Sequence, residues 1–204
     1  DILLIGGVNY KYKTDSTKKK KKFSYTILES KELLGDTINR SISRNGFAYL
    51  PGTEKEIFKI DSLLGNSKQL SGYNATETAF KNLSGKSPSI LHIATHGFFL
   101  ANVEEATQDN QNKYVQNPLL RSGLILAGAG SFLKSGTAYN DQDGILTAYE
   151  AMNMNLDGTE VVVMSACETG LGTISNGEGV YGLQRSFLIA GAKSLIMSMW
   201  SVDD

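Results

Sequence analysis

The residues best suited to nucleophilic chemistry in this chain are its single cysteine, Cys167, and its two histidines, His92 and His96. A thiol attacks as its thiolate, and an ordinary pKa of about 8.5 leaves little of it at neutral pH without a base or positive potential nearby. His96 can supply that base. It ends the apolar run "ILHIATH" and is followed at once by Gly97, while Cys167 ends "VVVMSAC" ahead of the glycine-rich "ETGLGTISNGEG". Both therefore fall at the carboxyl ends of strand-like segments, where open α/β sheets present their ligand-binding groups. Cys167 lies 71 residues after His96, a spacing that suits neighbouring strands of one sheet and equally suits two unrelated strand ends. Alternation puts His92, Ala94 and His96 on one face, with His92 lower in the layer, where it reads as a hydrogen-bonded interior imidazole.

Positioning such a pair requires a sheet, and the chain has the pattern of one: short apolar runs separated by stretches of helical period, an α/β layered domain with a central, mostly parallel sheet. "ILLIGG" is a continuous apolar run covered on both faces. "LPGTEKEIFKIDSLLG" predicts a helix with Thr53 as N-cap, Glu56 as its capping-box partner and Gly65 as its end. "KQLSGY" predicts a short strand, and "NATETAFKNLSG" a short helix capped by Asn74 or Thr76. Ile90 to Thr95 predicts a buried strand and "SGLILAGAG" another. "DGILTAYEAMNMN" predicts a helix with Ile145, Ala148 and Met152 on one stripe. "TEVVVMSAC" predicts a strand, "GVYGLQRSFLIAGAKS" a helix ending near Gly191, and "LIMSMWSV" a final strand. Two excursions interrupt this order. Residues 10–24 hold the lysine run Lys18 to Lys22 and predict a solvated loop. Residues 100–118, rich in Asn, Gln, Asp and Glu, predict a surface loop beside the strand end that carries His96.

Composition narrows the function classes. The chain has 204 residues, more than the ~150 of a typical domain, so one domain with a real core is expected. Hydrophobic residues make up 41% and charged residues 20%, which excludes disordered, collagen-like and coiled-coil classes. Twenty basic against twenty-one acidic residues give no field for gripping phosphate backbones or anionic lipid, so neither direct nucleic-acid binding nor a membrane is expected. One cysteine makes no internal disulfide and no cysteine-rich zinc site, and a cytoplasmic setting follows as the expectation. With no initiator Met, the chain reads as a fragment of a longer protein.

One competing signal is "GEGVYG", where Gly177, Gly179 and Gly182 open a helix and Asp203 follows 21 residues later, as in a dinucleotide-binding fingerprint. That fingerprint needs its first glycine in the tight turn directly after a strand, and ten residues separate Cys167 from Gly177.

The segments "LHIATHGFF", "DGILTAYEAMNMNLDGTEVVVMSACETGLG" and "GEGVYGLQRSFLIAGAKSLIMSMWSVDD", in this order, resemble the CHAT domain, a family of caspase-like cysteine proteases related to separase and often attached to tetratricopeptide repeats. "DILLIGGVNY" and "LPGTEKEI" fit as well, so the resemblance covers most of the chain; the lysine run has no assigned counterpart. It implies a three-layer α/β/α sandwich, His96 and Cys167 as the catalytic pair, and the N–H groups of Gly97 and Cys167 as the oxyanion hole. No metal or organic cofactor is implied. An acidic residue just after the tryptophan-bearing strand contributes to a basic-side-chain pocket in the separase branch, making Asp203 and Asp204 pocket candidates, with Glu168 beside the cysteine as another; capping of a following helix is the alternative for the two aspartates. The implied partners are a protein substrate and an activating protein or ribonucleoprotein acting through attached repeats, in settings such as bacterial defence or CRISPR-associated proteolysis. Further structure follows the last strand in the family, so the final part of the domain is expected to be missing. The competing readings are a catalytically silent scaffold that keeps the fold to bind a partner, and a nucleotide-binding module.

Overall fold

The structure is a computed structural model and describes residues 1–11, 20–22, 42–43, 46–99, 118–120, 122–135, 137–139, 143–165 and 178–197. In chain order its elements are β1 (Ile2–Val8), β2 (Lys20–Lys22), β3 (Ile42–Ser43), β4 (Gly46–Phe47), α1 (Pro51–Leu64), β5 (Ser67–Gly72), α2 (Glu77–Lys81), β6 (Ile90–Ala94), β7 (Gly97–Phe99), a 3-10 turn (Pro118–Leu120), β8 (Ser122–Ile125), α3 (Ala129–Ser135), β9 (Thr137–Tyr139), β10 (Ile145–Thr147), α4 (Ala148–Met152), β11 (Val161–Ser165), α5 (Glu178–Ile189) and β12 (Ser194–Met197). Among the described residues the main sheet has five strands, all parallel, in the order β12-β11-β6-β1-β5.

That order reverses once. After β1 the chain goes outward to β5, then returns to the other side of β1 for β6 and continues to β11 and β12. The carboxyl ends of β1 and β6 therefore flank the topological switch point, where the outgoing connections diverge and leave a crevice.

The two sheet faces are covered differently, as an α/β/α sandwich requires. On one, α1 lies so close to β1 that a Cβ at Gly6 would sit 2.7 Å from the Thr53 carbonyl and 2.8 Å from Ile57 Cγ2. Only glycine admits that approach. On the other, Leu3, Ile5, Leu91, Ile93, Val162 and Met164 join Phe80 of α2, Ala148 and Ala151 of α4, and Leu183 and Phe187 of α5 in one buried cluster. A strand buried on both faces needs continuous apolar sequence, which "ILLIG" supplies for β1, whereas β11 alternates buried and half-buried residues.

Three local readings are corrected. Thr53 is not the N-cap of α1; the helix starts at Pro51, whose fixed φ and missing N–H suit the first turn, and Leu50 precedes it without a side-chain cap. The Thr53 hydroxyl instead donates to the Leu50 carbonyl at 2.8 Å and accepts the Gly7 N–H at 3.0 Å, tying helix to strand. Ile145 to Thr147 is strand, not helix, because it pairs antiparallel with β8. Thr147 is the cap of α4, in a capping box with Glu150. Finally, β8 lies outside the main sheet: it is the middle strand of an antiparallel set ordered β10-β8-β7. Within the lysine-rich segment, Lys20–Lys22 pair antiparallel with Thr137–Tyr139. Gly65 and Thr76 end and cap their helices as expected.

A buried charged group joins the two sheets' connections. Glu77, 3% exposed, forms an ion pair with Lys81, whose ammonium also reaches Glu150 Oε1 at 2.8 Å. The Gly144 N–H donates to Glu77 Oε2 at 3.3 Å, and the adjoining Asp143 carboxylate accepts the Ile145 N–H at 2.8 Å. Burial, reinforced by the charges of Glu77 and Glu150, pushes the Asp143 carboxyl up to about 7. Among the described residues, no helix is long and apolar enough to cross a membrane, and no group of side chains is suited to hold a metal ion.

Candidate active site

His96 is not on β6 as alternation suggested. The strand ends at Ala94, and the chain turns at Thr95 to run into β7 and the second sheet. The turn is held on both sides of the backbone: the His96 carbonyl accepts the Ile125 N–H at 2.8 Å, and Thr95 Oγ1 donates to the Ile125 carbonyl at 2.6 Å. With its one hydrogen so used, Thr95 Oγ1 accepts from the Tyr10 hydroxyl at 3.1 Å. The crossing from one sheet to the other thus fixes the backbone that carries the imidazole.

His96 is 5% exposed, and its ring packs against two aromatic side chains that also touch each other. The Tyr10 ring lies 5.0 Å away, centroid to centroid, and the Phe47 ring 5.4 Å away. Its Nε2 lies 2.9 Å from the Ala48 carbonyl oxygen. A carbonyl only accepts, so Nε2 carries the proton, and in the neutral ring Nδ1 holds the lone pair. The structure therefore selects the tautomer: Nδ1 is the basic nitrogen, and the Ala48 carbonyl dipole is in place to stabilise the imidazolium formed when Nδ1 takes a proton.

The sheet register bears on the cysteine. Strands β6 and β11 are adjacent and parallel, with Ala94 paired to Ser165. His96 follows Ala94 by two residues and Cys167 follows Ser165 by two. Ser165, the last described residue of β11, therefore stands at the same carboxyl rim as Ala94, and neighbouring strands lie about 4.8 Å apart. Of the other residues singled out from sequence, Gly97 begins β7 and pairs with Leu124. Cys167, Glu168, Asp203 and Asp204 lie outside the described residues, as do Gly177 and most of both excursions. The end of β11 at Ser165 and the start of α5 at Glu178 are too far apart in sequence for the tight phosphate-binding turn of a dinucleotide site.

One residue of this region was read for the wrong role. Glu56, expected as a capping-box partner, instead faces the sheet from α1 and bridges the two strands that lead to the site. Its Oε2 accepts from Ser165 Oγ at 3.0 Å, and its Oε1 lies 3.0 Å from His92 Nε2. The latter is an ion-pair distance without a well-directed hydrogen bond. His92, 6% exposed, is interior as anticipated, but its Nε2 makes no hydrogen bond and has Glu56 only as a neighbour. Glu56→Ala should lower stability by about 1 kcal/mol, because it removes the acceptor of the part-buried Ser165 hydroxyl. Urea titration checks this, and Glu56→Gln, which keeps an acceptor for Ser165, should recover about half the loss.

Ala48, Tyr10 and Phe47 were missed altogether. Ala48 acts through its backbone and leaves no side-chain signal; the aromatic pair at "VNY" and "GFAY" is visible in sequence only as apolar residues at element ends.

Comparison with known families gives a match to the family model described as CHAT domain over residues 13–204. Comparison with curated proteins gives no match.

Proposed function

The chain belongs to the CHAT domain family, a family of caspase-like cysteine proteases, and from that premise we propose that it is a thiol endopeptidase with Cys167 as nucleophile and His96 as its acid–base partner. The observation that supports this best is the fixed tautomer of His96 at the rim next to the strand leading to Cys167: a base whose lone pair is at Nδ1 and whose other nitrogen is anchored on Ala48. The Cys167 thiol gives its proton to Nδ1 and its sulfur attacks the scissile carbonyl carbon. The tetrahedral oxyanion is received by the N–H groups of Gly97 and Cys167, each such donor being worth ~100-fold or more in rate. The tetrahedral adduct collapses as the imidazolium protonates the leaving amine, which departs and leaves a thioester. Water, deprotonated by His96, then attacks the thioester carbonyl and restores the thiol.

Asp203 and Asp204, with Glu168, are the proposed sources of negative charge for a basic side chain on the acyl side. The wider setting we infer is a cytoplasmic protease switched on by a protein or ribonucleoprotein partner through attached repeats, in defence or CRISPR-associated proteolysis as in other members of the family. A peptidyl warhead directed at thiols tests the core of the reading. Mass spectrometry should find the adduct on Cys167 in the wild type, with nothing at that position in Cys167→Ala. A wild-type Cys167 that stays unmodified, both alone and in a lysate that supplies its partners, under conditions where free cysteine reacts would overturn it in favour of a silent scaffold.

A further inference from the structure

A cleft of about 320 Å³ opens beside His96, lined by Val8, Asn9, Tyr10, Lys11, Phe47, Ala48 and Tyr49. It is about twice the ~150 Å³ that suffices to hold a benzene ring, so one large side chain fits within it. Its position follows from the topology. The residues after β1 form one wall and those leading into α1 the other, at the switch point between β1 and β6. Two of its lining residues, Tyr10 and Phe47, are the rings packed on the His96 imidazole, and a third, Ala48, anchors that ring's Nε2.

We infer that this cleft is the subsite for the substrate residue that follows the scissile bond, and that it selects an aromatic or large aliphatic side chain. The inference rests on the protease reading and adds a direction to it. In the sheet order, β11, which leads to Cys167, lies on one side of β6, and β1, which leads to the cleft, lies on the other. The acyl half of the substrate stays with the sulfur. The leaving amine is the group the imidazole protonates, so the chain beyond it departs across His96, on the side of Tyr10, Phe47 and Ala48. The first side chain on that half meets the cleft. Tyr49, 47% exposed, offers its ring at the rim with the nearly buried Tyr10 and Phe47 rings behind it, and the exposed Lys11 ammonium at the same cleft opposes an arginine or lysine side chain. A glycine there would leave the walls hydrated.

The test reads the new amino termini made when the full-length protein digests a proteome-derived peptide library. Phe, Tyr, Leu and Met should head those termini at least ~10-fold more often than Gly, Lys or Arg, the discrimination that a few buried methylenes supply. Asn9→Phe, which fills the cleft from its half-buried rim, should bring that ratio close to one. Lys11→Trp, which adds bulk at an exposed position without touching the core, should do the same and guards against misfolding of the first variant. Termini without this enrichment, or a ratio unchanged in both variants, would each overturn the subsite while the thiol protease reading stands; no new termini despite a labelled Cys167 would overturn the endopeptidase reading and the subsite with it. Absence of both cleavage and adduct at Cys167 removes both.

Discussion

His96→Gln should hydrolyse peptides at least ~100-fold more slowly than the wild type, the lower end of what a positioned general base contributes. Unfolding in urea should shift little. Glutamine is the informative replacement because of the bond at Nε2. Its side-chain amide can still donate to the Ala48 carbonyl and still pack against Tyr10 and Phe47, but it has no basic nitrogen to offer the thiol. The loss should fall on kcat with KM changed little, since proton transfer belongs to the transition state rather than to binding. Because a neutral thiol is the weaker nucleophile, raising the pH should recover part of the rate as Cys167 ionises unaided, whereas the wild type has no such need. A variant as fast as the wild type at pH 7 would leave His96 a packing residue.

The strand that precedes His96 was readable because it obeys local rules. A short apolar run bounded by turn residues suits a covered strand, and the structure ends that strand at Ala94, two residues before His96. The features that give the imidazole its chemistry were not readable. Ala48 contributes a carbonyl, which every residue has. Tyr10 lies 86 positions from His96, and their contact depends on β1 and β6 being neighbours, which only the assembled sheet decides. The same logic explains the misread elements. Thr53 and Glu56 have the types and spacing of a capping box, yet the tight seat of α1 on Gly6 turns both toward β1, β6 and β11, where they hold Gly7 and Ser165. Ile145 fits a helical stripe until β8 supplies a partner for its backbone. Local pattern loses wherever a tertiary contact competes for the same residue.

The charged group behind the second sheet was silent in sequence for that reason too, and it carries the largest expected stability effect. Lys81→Met should cost about 3 kcal/mol at pH 7, because Glu77 and Glu150 lose the cation that offsets their burial and their mutual repulsion. In a chain of this size that is a fall of roughly 6–12 °C in Tm. The double variant Glu77→Gln/Lys81→Met should regain much of it, which separates charge from lost packing; an equal deficit in single and double variants would assign the loss to packing. The pH dependence has a definite sign. Asp143 is raised by burial first and by Glu77 and Glu150 next, from an ordinary 3.8 to about 7, so between these values the folded chain holds a proton that the unfolded chain has released. Stability therefore declines as pH rises through that window and levels off above it. Asp143→Asn keeps an oxygen for the Ile145 N–H and never ionises. It should unfold at higher urea than the wild type at pH 8, by on the order of 2 kcal/mol, with the gap narrowing as pH falls and closing below about pH 4, where the unfolded wild-type carboxyl is protonated as well. A gain as large at pH 5 as at pH 8 would mean that something other than this buried charge limits the fold.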